Sequence, residues 1–125
     1  MIKGMFTLEI VVTDLKSSAR WYEEKLGLTV GNRVNNEDGD WCELNTSSGE
    51  KSGLALWQPP NAPSAEKQVP ASFVPILQVE NLVQFVDGLN RAGVNVFDVK
   101  ERKGYRLATI KDMEGNQLQL YEGVE

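Results

Sequence analysis

Two glutamates and two tryptophans on three predicted strands stand out as the residues able to do chemistry. Side chains alternate between the two faces of a strand. The apolar neighbours of these residues are expected to face a core, which leaves Glu9, Trp41, Glu43 and Trp57 on the opposite faces. An indole ring attracts a cation by about 0.5–2 kcal/mol, and a buried carboxylate also favours a cationic partner. The pattern predicts a surface that binds a flat or cationic organic molecule.

Two plainer interpretations of the same residues stay open. Trp57 can fill the interior of a barrel, since large aromatic side chains commonly occupy cores. Glu9 and Glu43 can lie at a solvated rim, because acidic residues are rarely fully buried. The placement of these side chains in the fold distinguishes the three interpretations.

Charge and composition exclude several classes of partner. The chain has 125 residues, a formal net charge of -5 and a hydrophobic fraction of 41%. Nucleic-acid binding depends on Lys and Arg that neutralise phosphates, and anionic membranes attract basic segments, so neither partner is expected. No apolar run approaches the roughly 18 residues of a membrane span, and the N-terminus lacks a signal-peptide pattern. We therefore expect one globular, cytoplasmic domain.

Metal and thiol chemistry are restricted by two residue counts. Histidine is absent, and Cys42 is the only cysteine. A cysteine cage for zinc and an intramolecular disulfide are therefore excluded. A catalytic thiolate usually needs a neighbouring base such as histidine. Cys42 is accordingly predicted to be a small, buried, apolar side chain.

A cryptic repeat is visible in the helix signals of the two halves. Asp14 and Asn81 each follow an apolar run, and both residue types accept a hydrogen bond from an orphan N–H at a helix start. Each is followed by an amphipathic stretch that ends at a glycine, Gly27 or Gly93, suited to a left-handed helix cap. The sequence predicts two helices in equivalent positions.

The order of strand, helix and three strands occurs twice, which predicts an α+β fold made of two βαβββ modules. The first module spans residues 1–58 and the second spans residues 73–125, and the Pro-rich stretch 59–72 is predicted to link them. The strands are predicted from eight runs: Phe6–Val12, Leu28–Val30, Trp41–Thr46, Leu54–Trp57, Phe73–Val79, Val94–Val96, Arg106–Lys111 and Leu118–Tyr121.

Two segments resemble the vicinal-oxygen-chelate superfamily, the glyoxalase, bleomycin-resistance and dioxygenase group. LEIVVTDLKSSARWYEEKLGLTV is similar to the opening of such a module, with the aromatic pair Trp21-Tyr22 and the exit Leu26-Gly27-Leu28. KDMEGNQLQLYE is similar to the closing strand, with Asp112, Gly115 and Asn116 matching and Met113 in place of a proline. The resemblance covers essentially the whole chain.

The resemblance implies that the paired modules form a half-open, curled mixed sheet around a cleft, with the helices on the outer face, and that the protein forms a homodimer. It also implies metal-ligand positions at Thr7, Ala55, Val74 and Gln119. These residues cannot assemble a tight transition-metal site, because two lack a side-chain donor and two offer neutral oxygens. No metal and no cofactor are therefore expected.

The leading hypothesis is a metal-independent protein that binds a small organic ligand, similar to the drug-binding, resistance-protein branch of the superfamily. The alternative is a lyase, isomerase or dioxygenase-like enzyme that uses a Glu base or a weak, carboxylate-held metal. The residues predicted to line the ligand site are Thr7, Glu9, Trp41, Glu43, Ala55, Trp57, Val74, Ile76, Gln119 and Tyr121.

Overall fold

The computed structural model of the protein describes residues 1–61 and 73–124. The chain divides into two compact units, Met1–Gln68 and Val69–Glu125. Most of the predicted linker 59–72 lies outside the described residues. Within the part of the chain that the structure describes, no helix is long and apolar enough to cross a membrane.

In the described residues, each unit contains one helix and four strands, as the repeat predicts. The first unit consists of β1 (Leu8–Val11), α1 (Leu15–Leu26), β2 (Thr29–Asn36), β3 (Gly39–Asn45) and β4 (Lys51–Gln58). The second consists of β5 (Ile76–Gln78), α2 (Leu82–Arg91), β6 (Asn95–Arg102), β7 (Tyr105–Lys111) and β8 (Gln117–Gly123). The α+β fold with two βαβββ modules is confirmed.

The two sheets have the same topology. The first has the strand order β1-β4-β3-β2 and the second has the order β5-β8-β7-β6. In each sheet the first strand pairs in parallel with the last strand of its module, and the other pairs are antiparallel. Parallel strands need a long crossover connection. In each module the helix provides it, because it links the first strand to the second strand at the opposite edge of the sheet.

The core of the first unit lies between α1 and one face of its sheet. Tyr22 is fully buried on the helix, and Cys42, Leu44 and Leu56 are fully buried on the strands. Burying one such side chain contributes about 1.5–3 kcal/mol. The prediction that Cys42 and Leu44 face the core is confirmed, and the other face of the sheet keeps Trp41 and Glu43 partly exposed.

The core of the second unit follows the same plan. Leu82 and Leu89 are buried on α2, and Ile110, Leu118 and Leu120 are buried on the strands. Helix α2 contacts β6, β7 and β8. One face of this sheet is therefore covered by its helix, as in the first unit.

Both predicted helix starts are confirmed. The Asp14 carboxylate accepts a hydrogen bond of 3.1 Å from the Ser17 N–H, and the Asn81 side-chain oxygen accepts one of 3.1 Å from the Gln84 N–H. At the other end of α1, Gly27 has a φ of 72°, in the left-handed region that favours glycine. The cap signals were local, so the sequence alone identified them.

Three predicted strand extents are clearly wrong, and one of them is Val94–Val96, which belongs to the longer strand Asn95–Arg102. The run Phe73–Val79 forms a strand only at Ile76–Gln78, because Pro75 has no N–H to donate to a ladder. The run Leu28–Val30 belongs to a longer strand, Thr29–Asn36, whose polar continuation lies at the exposed edge of the sheet. Hydrophobicity does not reveal a strand whose two faces are both largely exposed.

Candidate functional site

The exposed face of the first sheet carries a row of four large side chains. The strand register aligns Val11 with Trp57, Trp57 with Trp41, and Trp41 with Val34. Neighbouring strands are about 4.8 Å apart, so these side chains form a continuous apolar band across all four strands. The band lies on the face opposite α1, because the strand neighbours of Trp41 and Trp57, which point the other way, include the core residues Cys42 and Leu56.

A pocket of about 310 Å³ lies along this band. Trp41, Trp57 and Val34 supply the apolar part of its wall, and the acidic residues Glu9 and Asp38 also belong to its lining. The described residues that line it are Glu9, Val34, Asn36, Asp38, Gly39, Trp41 and Trp57. Aromatic walls with a few polar groups are typical of small-molecule sites.

One end of the pocket is closed by the turn between β2 and β3. The Trp57 indole N–H donates a 2.9 Å hydrogen bond to the backbone carbonyl oxygen of Asp38 in this turn. Gly39 follows with a φ of 112°, and a Cβ there would collide with the backbone oxygen of Gln58. Glycine at position 39 is therefore required both by the backbone conformation and by the close approach of the next strand.

A second row on the same face contains the two predicted glutamates. The register places Glu9 beside Ala55 and Ala55 beside Glu43. Glu9 is exposed and Glu43 is half-buried, whereas the Ala55 side chain is fully buried. Ala55 separates the two glutamates and presents no accessible surface of its own.

The Glu43 side chain lies over strand β2. Strand β2 has a bulge between Val30 and Arg33, and the Asn32 N–H there donates a 3.3 Å hydrogen bond to the Glu43 carboxylate. A Cβ built at Gly31 would lie 2.6 Å from Glu43 Oε1. The carboxylate occupies space that any other residue at position 31 would fill.

Thr7 precedes β1, and its side chain is hydrogen-bonded within the first unit. Its hydroxyl donates a 3.1 Å hydrogen bond to the Gly53 carbonyl oxygen. Nearby, the Lys51 ammonium lies 5.4 Å from the centre of the Phe6 ring. This end of the face has a cavity of only about 20 Å³, too small for an organic ligand.

The second unit presents a different exposed face. The register aligns Ile76 with Gln119 and Gln78 with Tyr121, and Ile76 is 58% exposed. Tyr121 stacks on Tyr105 with ring centres 6.1 Å apart. Gln119 and Tyr121 are half-buried. This face carries tyrosine rings and side-chain amides, whereas the exposed face of the first unit carries indole rings and carboxylates.

Val74 lies before β5, outside the strand. Strand alternation therefore does not determine which way its side chain points, contrary to the reasoning that placed it in the site. It is half-buried.

The residues at the expected metal positions do not fit a metal. Val74 and Ala55 have no donor atom, Thr7 donates its hydroxyl to Gly53, and Gln119 offers a neutral amide. Transition metals need imidazole, thiolate or carboxylate ligands. Within residues 1–61 and 73–124, no three His, Cys, Asp or Glu side chains come close enough to hold an ion. The donor chemistry of these positions therefore supports no metal-dependent step.

Several pocket residues were missed by sequence reasoning. Val34 and Asn36 belong to the polar strand that hydrophobicity did not reveal, and Asp38 and Gly39 were interpreted only as a turn. The Asp38-Gly39 dipeptide did signal a hairpin. It could not signal that the turn carbonyl receives the Trp57 N–H, because that contact joins residues 19 positions apart.

Comparison with known proteins shows the family. The family model described as Glyoxalase/Bleomycin resistance protein/Dioxygenase superfamily matches residues 4–120. The chain therefore belongs to the glyoxalase/bleomycin resistance protein/dioxygenase superfamily, and the resemblance seen in the sequence is confirmed. No curated protein matches the chain significantly.

Three solved structures illustrate the similarity of the fold. TnmS3, an antibiotic binding protein from Streptomyces sp. CB03234, is 20% identical over 98% of both chains, with a TM-score of 0.75. A glyoxylase/bleomycin resistance protein/dioxygenase domain from Frankia sp. EAN1pec is 18% identical over 99% of this chain and 100% of that one, with a TM-score of 0.77. FosX, a fosfomycin resistance protein from Listeria monocytogenes, is 13% identical over 99% and 96%, with a TM-score of 0.72.

Proposed function

We propose that the protein is a metal-independent binding protein for a planar or cationic small organic molecule. The observation that carries the proposal is the pocket of about 310 Å³ whose wall is formed by Trp41 and Trp57. A pocket of this size suits a small aromatic compound. The sequence-based expectations of a homodimer and a cytoplasmic location are retained as part of the proposal.

Charge favours a cation over an anion in this pocket. Glu9 and Asp38 lie in its lining, and none of the described residues that line it is a Lys or Arg. The negative ends of the two carboxylates and the faces of the indoles all attract positive charge. A planar cation can contact both kinds of group at once.

Two relatives by fold are consistent with this proposal. TnmS3 is an antibiotic binding protein and FosX is a fosfomycin resistance protein. At these sequence identities the similarity shows a shared fold. The class of ligand is therefore inferred from the residues of this chain's own pocket. We infer a binding role in the drug-binding branch, with antibiotic resistance as its physiological context.

The proposal is tested with proflavine, a planar cation, and acridine, its largely uncharged analogue at neutral pH. Isothermal titration calorimetry is expected to show proflavine binding that EDTA does not change, and weaker acridine binding. Trp41→Ala is expected to weaken proflavine binding about tenfold, as for one lost cation–π contact together with its buried area.

Trp21→Ala is the matched control, because Trp21 lies on α1 and is absent from the pocket lining. Equal losses for the two variants, or no proflavine binding to the natural chain, would contradict the proposal. Native mass spectrometry of the purified protein reports bound metal, bound small molecule and subunit number together. A stoichiometric divalent ion in those spectra would also contradict it.

The enzyme alternative has a specific feature in its favour, the half-buried Glu43 whose carboxylate is fixed by the Asn32 N–H. A fixed carboxylate is the arrangement that a general base requires. Turnover of methylglyoxal–thiol adducts or catechols, abolished by Glu9→Gln or Glu43→Gln, would replace binding with catalysis as the function.

A further inference from the structure

We propose that Gly31 is a positioning residue that determines ligand specificity, because it keeps the Glu43 carboxylate out of the Trp41–Trp57 pocket. The inference rests on the proposed binding function and assigns recognition of the ligand's charge to Glu9. Glu43, the other glutamate on this face, does not contact the ligand. The natural pocket is then less selective for a doubly charged ligand than a pocket that also contained the Glu43 carboxylate would be.

The first observation is steric. A Cβ at position 31 would lie 2.5 Å from Asn45 Nδ2 and 2.6 Å from Glu43 Oε1. Both distances are shorter than real contacts allow, so Gly31 leaves a recess that these two side chains fill. Gly31 does not have a positive φ. Space for the two side chains, and not backbone conformation, is therefore the reason for a glycine here.

The second observation is that the recess holds the carboxylate by a hydrogen bond. The bulge in β2 frees the Asn32 N–H from the ladder, and this N–H donates to Glu43 Oε1 at 3.3 Å. The neighbouring Asn45 Oδ1 is buried without a hydrogen-bond partner among the described residues. The recess is thus a polar compartment, and the Glu43 carboxylate has a defined place in it.

The third observation is the composition of the pocket. Glu9 is part of its lining and Glu43 is not, although both lie in the same row on either side of Ala55. Asp38, in an exposed turn, is the second acidic residue of the lining. A side chain at position 31 would displace Glu43 from β2 toward the β4 side of its row, the side on which Glu9 lines the pocket. The pocket would then gain a carboxylate.

The first test compares Glu9→Gln with Glu43→Gln, two changes of identical size and charge, by proflavine calorimetry. Glu9→Gln is expected to weaken binding about tenfold, as for loss of one charge-assisted contact. Glu43→Gln is expected to change the affinity less than about twofold, within the range of a distant charge. An equal loss for both variants would overturn the inference while leaving the binding function intact. No proflavine binding to the natural chain would overturn the binding function itself.

The second test uses Gly31→Ala and a matched pair of ligands, para-xylylenediamine with two charges and para-methylbenzylamine with one. The three atoms nearest the new methyl group belong to the flexible side chains of Asn45 and Glu43 and not to the backbone, so the variant is expected to fold. Its preference for the dication over the monocation is expected to rise about fivefold, and adding Glu43→Gln is expected to cancel the rise. A merely structural role for Gly31 would not make the preference depend on Glu43. An unchanged preference for the dication in Gly31→Ala would overturn the proposal. If Gly31→Ala does not fold, the comparison of Glu9→Gln with Glu43→Gln still tests whether Glu9, and not Glu43, recognises the charge of the ligand.

Discussion

The Trp57 indole N–H donates a 2.9 Å hydrogen bond to the Asp38 backbone carbonyl oxygen, and this bond fixes the turn at one end of the pocket. Trp57 lies at the end of β4, and Asp38 lies in the turn between β2 and β3. The ring therefore serves two purposes at once. It forms the apolar wall of the pocket and it holds the polar turn against that wall.

Removing this hydrogen bond should cost stability. Trp57→Phe keeps an aromatic ring but has no N–H, and it should lower the free energy of unfolding about 1 kcal/mol more than Trp41→Phe does. Trp41 is the matched control because it lies next to Trp57 in the strand register and lines the same pocket. Urea denaturation measures the difference. Equal losses would show that the bond contributes no net stability.

The two helices receive a second cap from the last strand of their own module. The Leu15 N–H donates a 2.7 Å hydrogen bond to Gln58 Oε1, and the Leu82 N–H donates a 3.1 Å hydrogen bond to Glu122 Oε1. Glu122 also pairs with Arg106 at 3.4 Å. The same tertiary contact therefore occurs in both modules, with an amide in one and a carboxylate in the other.

Gln58→Ala should destabilise the protein by about 1–2 kcal/mol, because the buried Leu15 N–H loses its side-chain acceptor. Gln58→Glu should retain most of the stability, since Glu122 shows that a carboxylate serves in the equivalent place. Thermal and urea unfolding of both variants measure this. A loss for Gln58→Glu as large as that for Gln58→Ala would contradict the capping role.

The stability of the protein should depend on pH in acid through Asp14. Hydrogen bonds from the Ser17 backbone N–H, and then from its hydroxyl, lower the pKa of the Asp14 carboxyl below its ordinary value of 3.8. Because the pKa of Asp14 is lower in the folded than in the unfolded protein, its ionised carboxylate stabilises the fold. This stabilisation is complete when the pH is above the unfolded-state pKa, and it is lost as the pH falls through the folded-state pKa.

Asp14→Asn should therefore flatten the pH dependence of the urea midpoint below a pH of about 4. Asn81 caps the second helix with an uncharged amide, so the substitution copies a cap that the chain already contains. Lys16→Gln serves as a control that alters a neighbouring charge and keeps the cap. A midpoint that falls as steeply for Asp14→Asn as for the natural chain would assign the acid sensitivity to other carboxyl groups.

The Cys42 thiol should be inert in the folded protein. It is 1% exposed, and desolvation by burial raises its pKa above 9.0, so little reactive thiolate forms near neutral pH. An aromatic disulfide reagent should react with Cys42 only as fast as the first unit opens, and fully in urea. Rapid reaction under native conditions would contradict the burial.

The sequence alone determined the features that depend on neighbouring residues. The caps at Asp14 and Asn81, the glycine at the end of α1 and the alternation of Trp41 and Glu43 with buried Cys42 all follow from local stereochemistry. The repeated order of these signals was enough to predict two βαβββ modules, and the resemblance of two segments indicated the superfamily.

The tertiary structure alone decided which of the predicted side chains line the pocket. Glu9 and Glu43 are equivalent by strand alternation, yet only Glu9 lines the pocket, because a bulge and the missing side chain of Gly31 draw Glu43 over β2. Trp57 is likewise fixed by a turn 19 residues away. The alternation of side chains along a strand predicts the face of the sheet on which a residue lies. The position of a carboxylate on that face depends also on the neighbouring strands, which become neighbours only when the sheet forms.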